Sequence, residues 1–219
     1  MDRPRRGTQA EYERFVRRFD KRLMVLIRRL NRTGDTAEFG EGMVALLEQA
    51  HLGAAWRGRI LAGDRRRIQD FDRSFAREIA ASQADFLLDW LDQIDDGRYS
   101  DAAGFLNLAA MRQRGRYYLE RLRGSANDAF LAASDAEEMF DWELGLAEHC
   151  EDCLELARYS PYRERELPTT PGRCQTACRT KCKCKLRRQS DGLAGFEFVN
   201  LYASEVIELN PAQDREAAG

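Results

Sequence analysis

Apolar residues recur at three- and four-residue steps along most of the first 130 positions, and that spacing predicts helices. Over residues 9–32, Tyr12, Phe15, Phe19, Leu23, Leu26 and Leu30 form one apolar stripe, with arginines on the other face. The steps suit a straight helix better than a coiled-coil seam. A second helix is expected over about 36–55, carrying Phe39, Met43, Leu46, Leu47 and Ala50 on one side, with Gly40 and Gly42 weakening its first turn. Gly63-Asp64 marks a break. A single long helix is then expected over about 65–96, with a stripe of Ile68, Phe71, Phe75, Ile79, Phe86, Trp90 and Ile94, and with Gly97 as its C-terminal cap. A fourth helix is expected over about 100–123, carrying Phe105, Leu108, Met111, Leu119 and Leu122. Ser125 is expected to cap a short fifth helix, and Ser134-Asp135-Ala136-Glu137 fits a capping box for another.

The pattern changes near Phe140. Trp142 and Leu144 alternate with charged residues, and Pro161, Pro168, Pro171 and Gly172 exclude a helix in their neighbourhood. Phe196–Val199 alternates like a short strand. The fold class expected is mostly α: an elongated helical body of four to six helices over 1–140, followed by a small irregular, zinc-stapled finger with minor β structure over 141–190. A C-terminal extension over 191–219 is expected to be partly mobile.

Composition adds little to this picture, but the distribution of charge does. The net charge is only −2, yet residues 1–33 hold eleven Arg/Lys against four Asp/Glu, and residues 173–188 hold seven basic residues and no acid. Such segregation suggests charged partners, although a charge run more often is a solvated face. There is no apolar run long enough to span a membrane and no stretch of signal-peptide type, so a cytosolic chain without membrane contact is expected.

All six cysteines fall between positions 150 and 184. In a cytosolic chain, clustered cysteines read first as a metal site, with disulfides as the rival. Cys150-x2-Cys153 can present two thiolates to one ion, and Cys174-x3-Cys178-x3-Cys182-x-Cys184 must complete a tetrahedral site. Thiolates select zinc over hard cations, and a sulfur-rich site is closed and structural. Six cysteines and His149 exceed four ligands, and two ions sharing bridges are unusual. The preferred set is Cys150, Cys153, Cys178 and Cys182, with Cys184 as a substitute for Cys182, because residues separated by one position are hard to use on one ion. His149 is expected to point away. Arg179, Lys181, Lys183, Lys185, Arg187 and Arg188 form a basic patch that exceeds what thiolate neutralisation needs and could meet phosphates or an acidic surface. No catalytic residue is expected. No nucleophile elbow or phosphate loop is present, and His51 reads as a satisfied helix residue.

The finger resembles a known family. Trp142-x6-His149-Cys150-x2-Cys153-Leu154-x-Leu156-Ala157, then Leu167-Pro168-x2-Pro171-Gly172, then Thr176-x-Cys178-x3-Cys182-x-Cys184-x-Leu186, is similar to the C-terminal finger of tailed-phage head morphogenesis proteins, minor head proteins of the Mu F-like group. Arg116–Ala126, with Tyr117-Tyr118 and Leu122-Arg123-Gly124, resembles the helix that precedes that finger, so the match covers about 115–188. Where the Mu-type proteins carry His-Pro-Asn before Cys-Arg-Cys, this chain has Arg179-Thr180-Lys181 before Cys182-Lys183-Cys184. Cys174 stands where relatives tend to have a small residue. The resemblance implies a non-enzymatic structural protein of the virion head, present in the host cytoplasm during assembly and multimeric within the particle. Its implied neighbours are the portal, the major capsid protein and packaged DNA. The alternative is a zinc-finger regulator that binds nucleic acid.

Overall fold

The computed structural model describes residues 8–179 and 182–190, with side chains from residue 14 onward. The fold is mostly helical, with a small region of strands at its C-terminal end. Helix α1 spans Thr8–Thr33 and α2 spans Thr36–Leu61, close to expectation except that α2 runs further. Asp35 starts α2, its Oδ1 accepting the Glu38 backbone N–H at 2.8 Å. Most of the expected stripes face inward, with Ile27 buried where Leu26 is only partly covered, while the side chain of Tyr12 lies outside the described residues. Phe19, Leu23, Ile27 and Leu30 of α1 meet Phe39, Met43, Leu46, Leu47 and Ala50 of α2 in one buried core.

The long third helix is two helices, α3 (Asp70–Ala81) and α4 (Ala84–Asp95). The Ser82 hydroxyl donates to the Ile79 carbonyl at 2.7 Å, and the buried Gln83 side chain turns inward to meet His51 Nε2 at 2.5 Å. This inward polar contact replaces helical continuity, and it shifts which face of α3 is covered. Asp72, Ala76 and Ala80 are buried, whereas Phe71 and Phe86 of the expected stripe are 68% and 59% exposed. Asp72 binds the Arg59 guanidinium, which also holds Asp64 at 2.9 Å. On α4, Leu87, Trp90 and Ile94 do face the core. Gly97 follows with φ 75°, as the left-handed end of a helix requires.

Helix α5 (Leu108–Ala132) begins later than expected, with Asn107 capping it through Ala110 N at 3.0 Å, and it continues through Ser125 without a break. Ser125 is therefore not a cap. It is buried in mid-helix, with its hydroxyl 2.7 Å from His51 Nδ1. The capping-box tetrad at 134–137 forms a turn that leads into strand β1 (Met139–Glu143). Trp90 lies at the centre of the body, its ring 5.2 Å from Phe39 and 6.0 Å from Tyr118. Phe105, expected on the fourth helix, precedes α5 and is exposed.

After β1 come α6 (Glu151–Arg158), β2 (Tyr162–Arg163), a 3-10 turn over Glu164–Glu166 and β3 (Lys185–Arg188). Both outer strands pair antiparallel with β1, in the order β2-β1-β3. A second core forms around Phe130, Leu131, Phe140, Trp142, Leu156 and Leu186 together with three buried cysteines. Its first two members come from the end of α5, so the helix belongs to both cores.

Polar contacts lock the finger onto that helix. Arg123 donates to the Cys182 carbonyl at 2.6 Å and to the Cys184 carbonyl, Asn127 Nδ2 donates to the Pro171 carbonyl at 2.7 Å, and the Thr170 hydroxyl donates to Asp128 at 2.6 Å. Gly124 permits this approach, since a Cβ there would meet the Gly172 carbonyl oxygen at 2.7 Å. The strand expected at Phe196–Val199 and the C-terminal extension lie outside the described residues. No helix among the described residues is long and apolar enough to cross a membrane.

Candidate metal centre

Two arms of chain bring the cysteines together. Cys150 occupies the extended position before α6 and Cys153 lies in that helix's first turn, so both thiols sit at one end of the helix. Asp152, in the same turn, accepts the Ala177 backbone N–H at 2.7 Å and so holds the second arm against the first. That arm supplies Cys178 and then, on the approach to β3, Cys182 and Cys184.

The sulfurs form two groups of three: Cys150, Cys153 and Cys178, and Cys153, Cys182 and Cys184. Within each group all donor atoms lie within 4.8 Å of one another, and Cys153 belongs to both. Its sulfur is 3.6 Å from that of Cys178 and 3.7 Å from that of Cys182. Zinc–sulfur bonds of about 2.3 Å imply a tetrahedral edge of about 3.8 Å, so these separations suit a metal. The cluster can hold a metal ion. All six cysteines are free thiols.

Cys182 and Cys184, expected to be hard to use together on one ion, fall in one group of three sulfurs, because residues two apart fall on the same side of an extended chain. His149 does not point away. Its Nδ1 lies 3.5 Å from the Cys184 sulfur and its Nε2 meets the Gly145 carbonyl at 2.7 Å. What the sequence could not reveal is the return of residue 145. A Cβ at Gly145 would meet the Lys183 carbonyl at 2.2 Å, so only glycine lets the histidine loop lie against the cysteine arm. Cys174 is in neither group. It adopts φ 70° and its sulfur lies 3.9 Å from the Gly172 carbonyl.

Hydrogen bonds to the Cys182 and Cys184 sulfurs, reinforced by burial, push the Cys153 thiol far up, so it holds its proton. Burial raises Cys178 to about 11. Contacts with Cys153 and Cys182 lower Cys184 to about 3, and Cys150 is also lowered because backbone and thiol hydrogen bonds from Cys153 and Cys178 outweigh its burial. The cluster thus shares protons among sulfurs, and a divalent cation is the natural replacement for those protons.

Of the expected basic patch, Arg187 is paired with acids of a neighbouring strand. β3 pairs with the acidic strand β1, and Arg187 consequently bonds Asp141 at 2.7 Å and Glu143 at 2.6 Å. Arg188 lies over the Phe130 ring, 5.8 Å from its centroid. Arg179 is exposed, Lys183 and Lys185 are half-buried, and Lys181 lies outside the described residues.

His51 is fully buried between Ser125 and Gln83, and burial lowers its pKa to about 3, with Arg121 adding to the shift. Neither partnership could be read from the sequence, since Ser125 lies on α5 and Gln83 in the break between α3 and α4. Comparison with family models, with curated proteins and with solved structures gave no match for this chain.

Proposed function

We propose that this chain is a structural minor head protein of a tailed bacteriophage, acting in head morphogenesis by binding rather than by catalysis, with zinc holding its finger. The observation that carries the reading is the resemblance over about 115–188. Its residues make one physical unit, the second half of α5 with the finger bonded to it through Arg123, Asn127 and Asp128. The all-sulfur donor groups favour zinc, because thiolates prefer it to hard cations. A rigid helical body joined to a metal-stapled finger suits a bridge between neighbours, and the portal and major capsid protein are the neighbours proposed. Packaged DNA is a further contact through Arg179, Lys183 and Lys185. The site of action is the virion head, reached from the host cytoplasm during assembly, and the chain is multimeric there.

The test is to purify intact particles and assembly intermediates, identify this chain by mass spectrometry and locate its density near the portal. Absence from both would defeat the reading. Discrimination of one DNA sequence over random DNA by several kcal/mol would instead support a zinc-finger regulator.

A further inference from the structure

We propose that the outer face of α1 binds the phosphate backbone of duplex DNA, with Arg14, Arg18, Lys21, Arg28 and Arg32 as its cations. α1 lies outside the finger, and such a surface serves a head protein or a regulator alike.

The five residues follow one another at steps of four, three, seven and four. At 3.6 residues per turn they fall within about 80° of one another, in a line about 27 Å long. Phe19, Leu23, Ile27 and Leu30 bury the other side of the helix, so the line faces solvent, and all five residues are exposed. Among the described residues none of these five side chains has a hydrogen-bonding or ionic partner. Cations beside the line are engaged, Arg22 with Gln49 and Arg29 with Glu38. Asp20, the only acid of α1 beyond residue 14, is held by Arg112 at 3.1 Å. No acid of the helix therefore offsets the line. A cation in the last turn complements the helix dipole, which accounts for Arg32. That effect fades within one turn and does not reach Arg14, Arg18, Lys21 or Arg28.

The make-up of the face selects its occupant. Its one large apolar side chain is Val25, 59% exposed at mid-line. Protein interfaces have cores depleted of charge and anchored by large side chains, so an acidic protein finds no anchor beyond that valine. A membrane finds nothing to insert. No aromatic residue stands in the line, so single strands have nothing on which to stack. A duplex is a stiff rod of closely spaced phosphates, which a straight row of cations matches. Four of the five cations are arginines, whose planar forks pair with phosphate oxygens two at a time. A hollow lined by Val25, Arg28, Asn31 and Arg32 gives a phosphate a recess at one end of the line. Contacts that reach only phosphates carry no base preference.

The test is fluorescence anisotropy of the full chain, kept reduced, with a labelled duplex of about 30 random base pairs. Five phosphate contacts give a log–log salt slope of about −4.5, or about a 500-fold loss of affinity from 50 to 200 mM salt. The triple variant Arg18→Gln, Lys21→Gln, Arg28→Gln is expected to bind about tenfold or more weakly, with the slope reduced by about 3 and helical circular dichroism unchanged. Arg179→Gln with Lys185→Gln in the finger is expected to cost less. Equal affinity of wild type and triple variant overturns the proposal, as does a larger loss from the finger pair or no duplex binding at 50 mM salt. Tighter capture of single-stranded DNA, polyglutamate or phosphatidylglycerol vesicles overturns the duplex as occupant. Absence of the chain from phage particles defeats the head reading and leaves this surface standing.

Discussion

The helical body and the finger solve the same problem by different means. The body buries Trp90, Leu23, Ile27, Met43, Leu47 and Met111 almost completely, from helices long enough to present continuous apolar faces. Its cohesion is hydrophobic and spread over many residues. The finger has short strands, one two-turn helix and long connections, and a third of its buried core residues are cysteines. A unit of that size cannot bury enough apolar surface alone, so its stability must come from a few strong bonds. One region should therefore fail gradually under mutation and the other all at once.

The sharpest way to break this contrast is to remove metal. Chelation, or Cys153→Ser, is expected to unfold residues 150–188 while most helical circular dichroism persists, because structural zinc contributes about 10–16 kcal/mol in small fingers. Limited proteolysis would locate the loss. A finger that stayed protease-resistant without metal would show that Phe140, Trp142 and Leu186 suffice. In the body, Trp90→Ala should cost about 3–5 kcal/mol by chemical denaturation, without altering metal content. A change in zinc binding there would mean that the two regions are not separable.

The seam between them can be probed at Gly124. An added methyl meets backbone of Gly172 and Arg173, neither of which can rotate away. Gly124→Ala is expected to cost about 3 kcal/mol, the upper end for overpacking. It should separate thermal unfolding of the finger, followed by Trp142 fluorescence, from loss of helical signal. A single coincident transition would place the coupling elsewhere along α5.

The smallest effect concerns acid. His51 is neutral in the folded body because burial lowers its pKa from 6.5 to about 3. Between those values the unfolded chain binds the extra proton, so stability is full above pH 6.5 and declines as pH falls through the window. From pH 7 to pH 5 the loss should be about 2 kcal/mol, and His51→Gln should flatten that slope. A slope unchanged by the substitution would assign the acid sensitivity to other groups.

Legibility in the sequence followed the same division. The stripes of α1 and α2 could be read because each helix buries one face against the other, and periodicity records that directly. The α3–α4 break could not, because Ser82 and Gln83 are tolerated in helices and only the distant His51 turns Gln83 inward. Ser125 looked like a cap for the converse reason, since its hydroxyl serves a tertiary partner rather than a helix end. Cysteine spacing located the candidate metal centre, but not the approach of His149 to Cys184, which depends on Gly145 lying against Lys183. The basic run misled in part, because acids on β1 that pair with Arg187 lie more than 40 positions away.

The double membership of α5 bears on how such a chain can be cut and recombined. The change of character near Phe140 invites a module boundary there, but Phe130 and Leu131 are walls of the second core and Arg123 holds the carbonyls of Cys182 and Cys184. A finger grafted from residue 141 onward would arrive without its floor, and a body ending at 140 would expose apolar residues that nothing covers. A junction between α4 and α5 fails too, because Met111, Tyr118, Leu119 and Leu122 of α5 line the body's own core. Exchange between related chains should therefore keep body, α5 and finger together as one inherited piece.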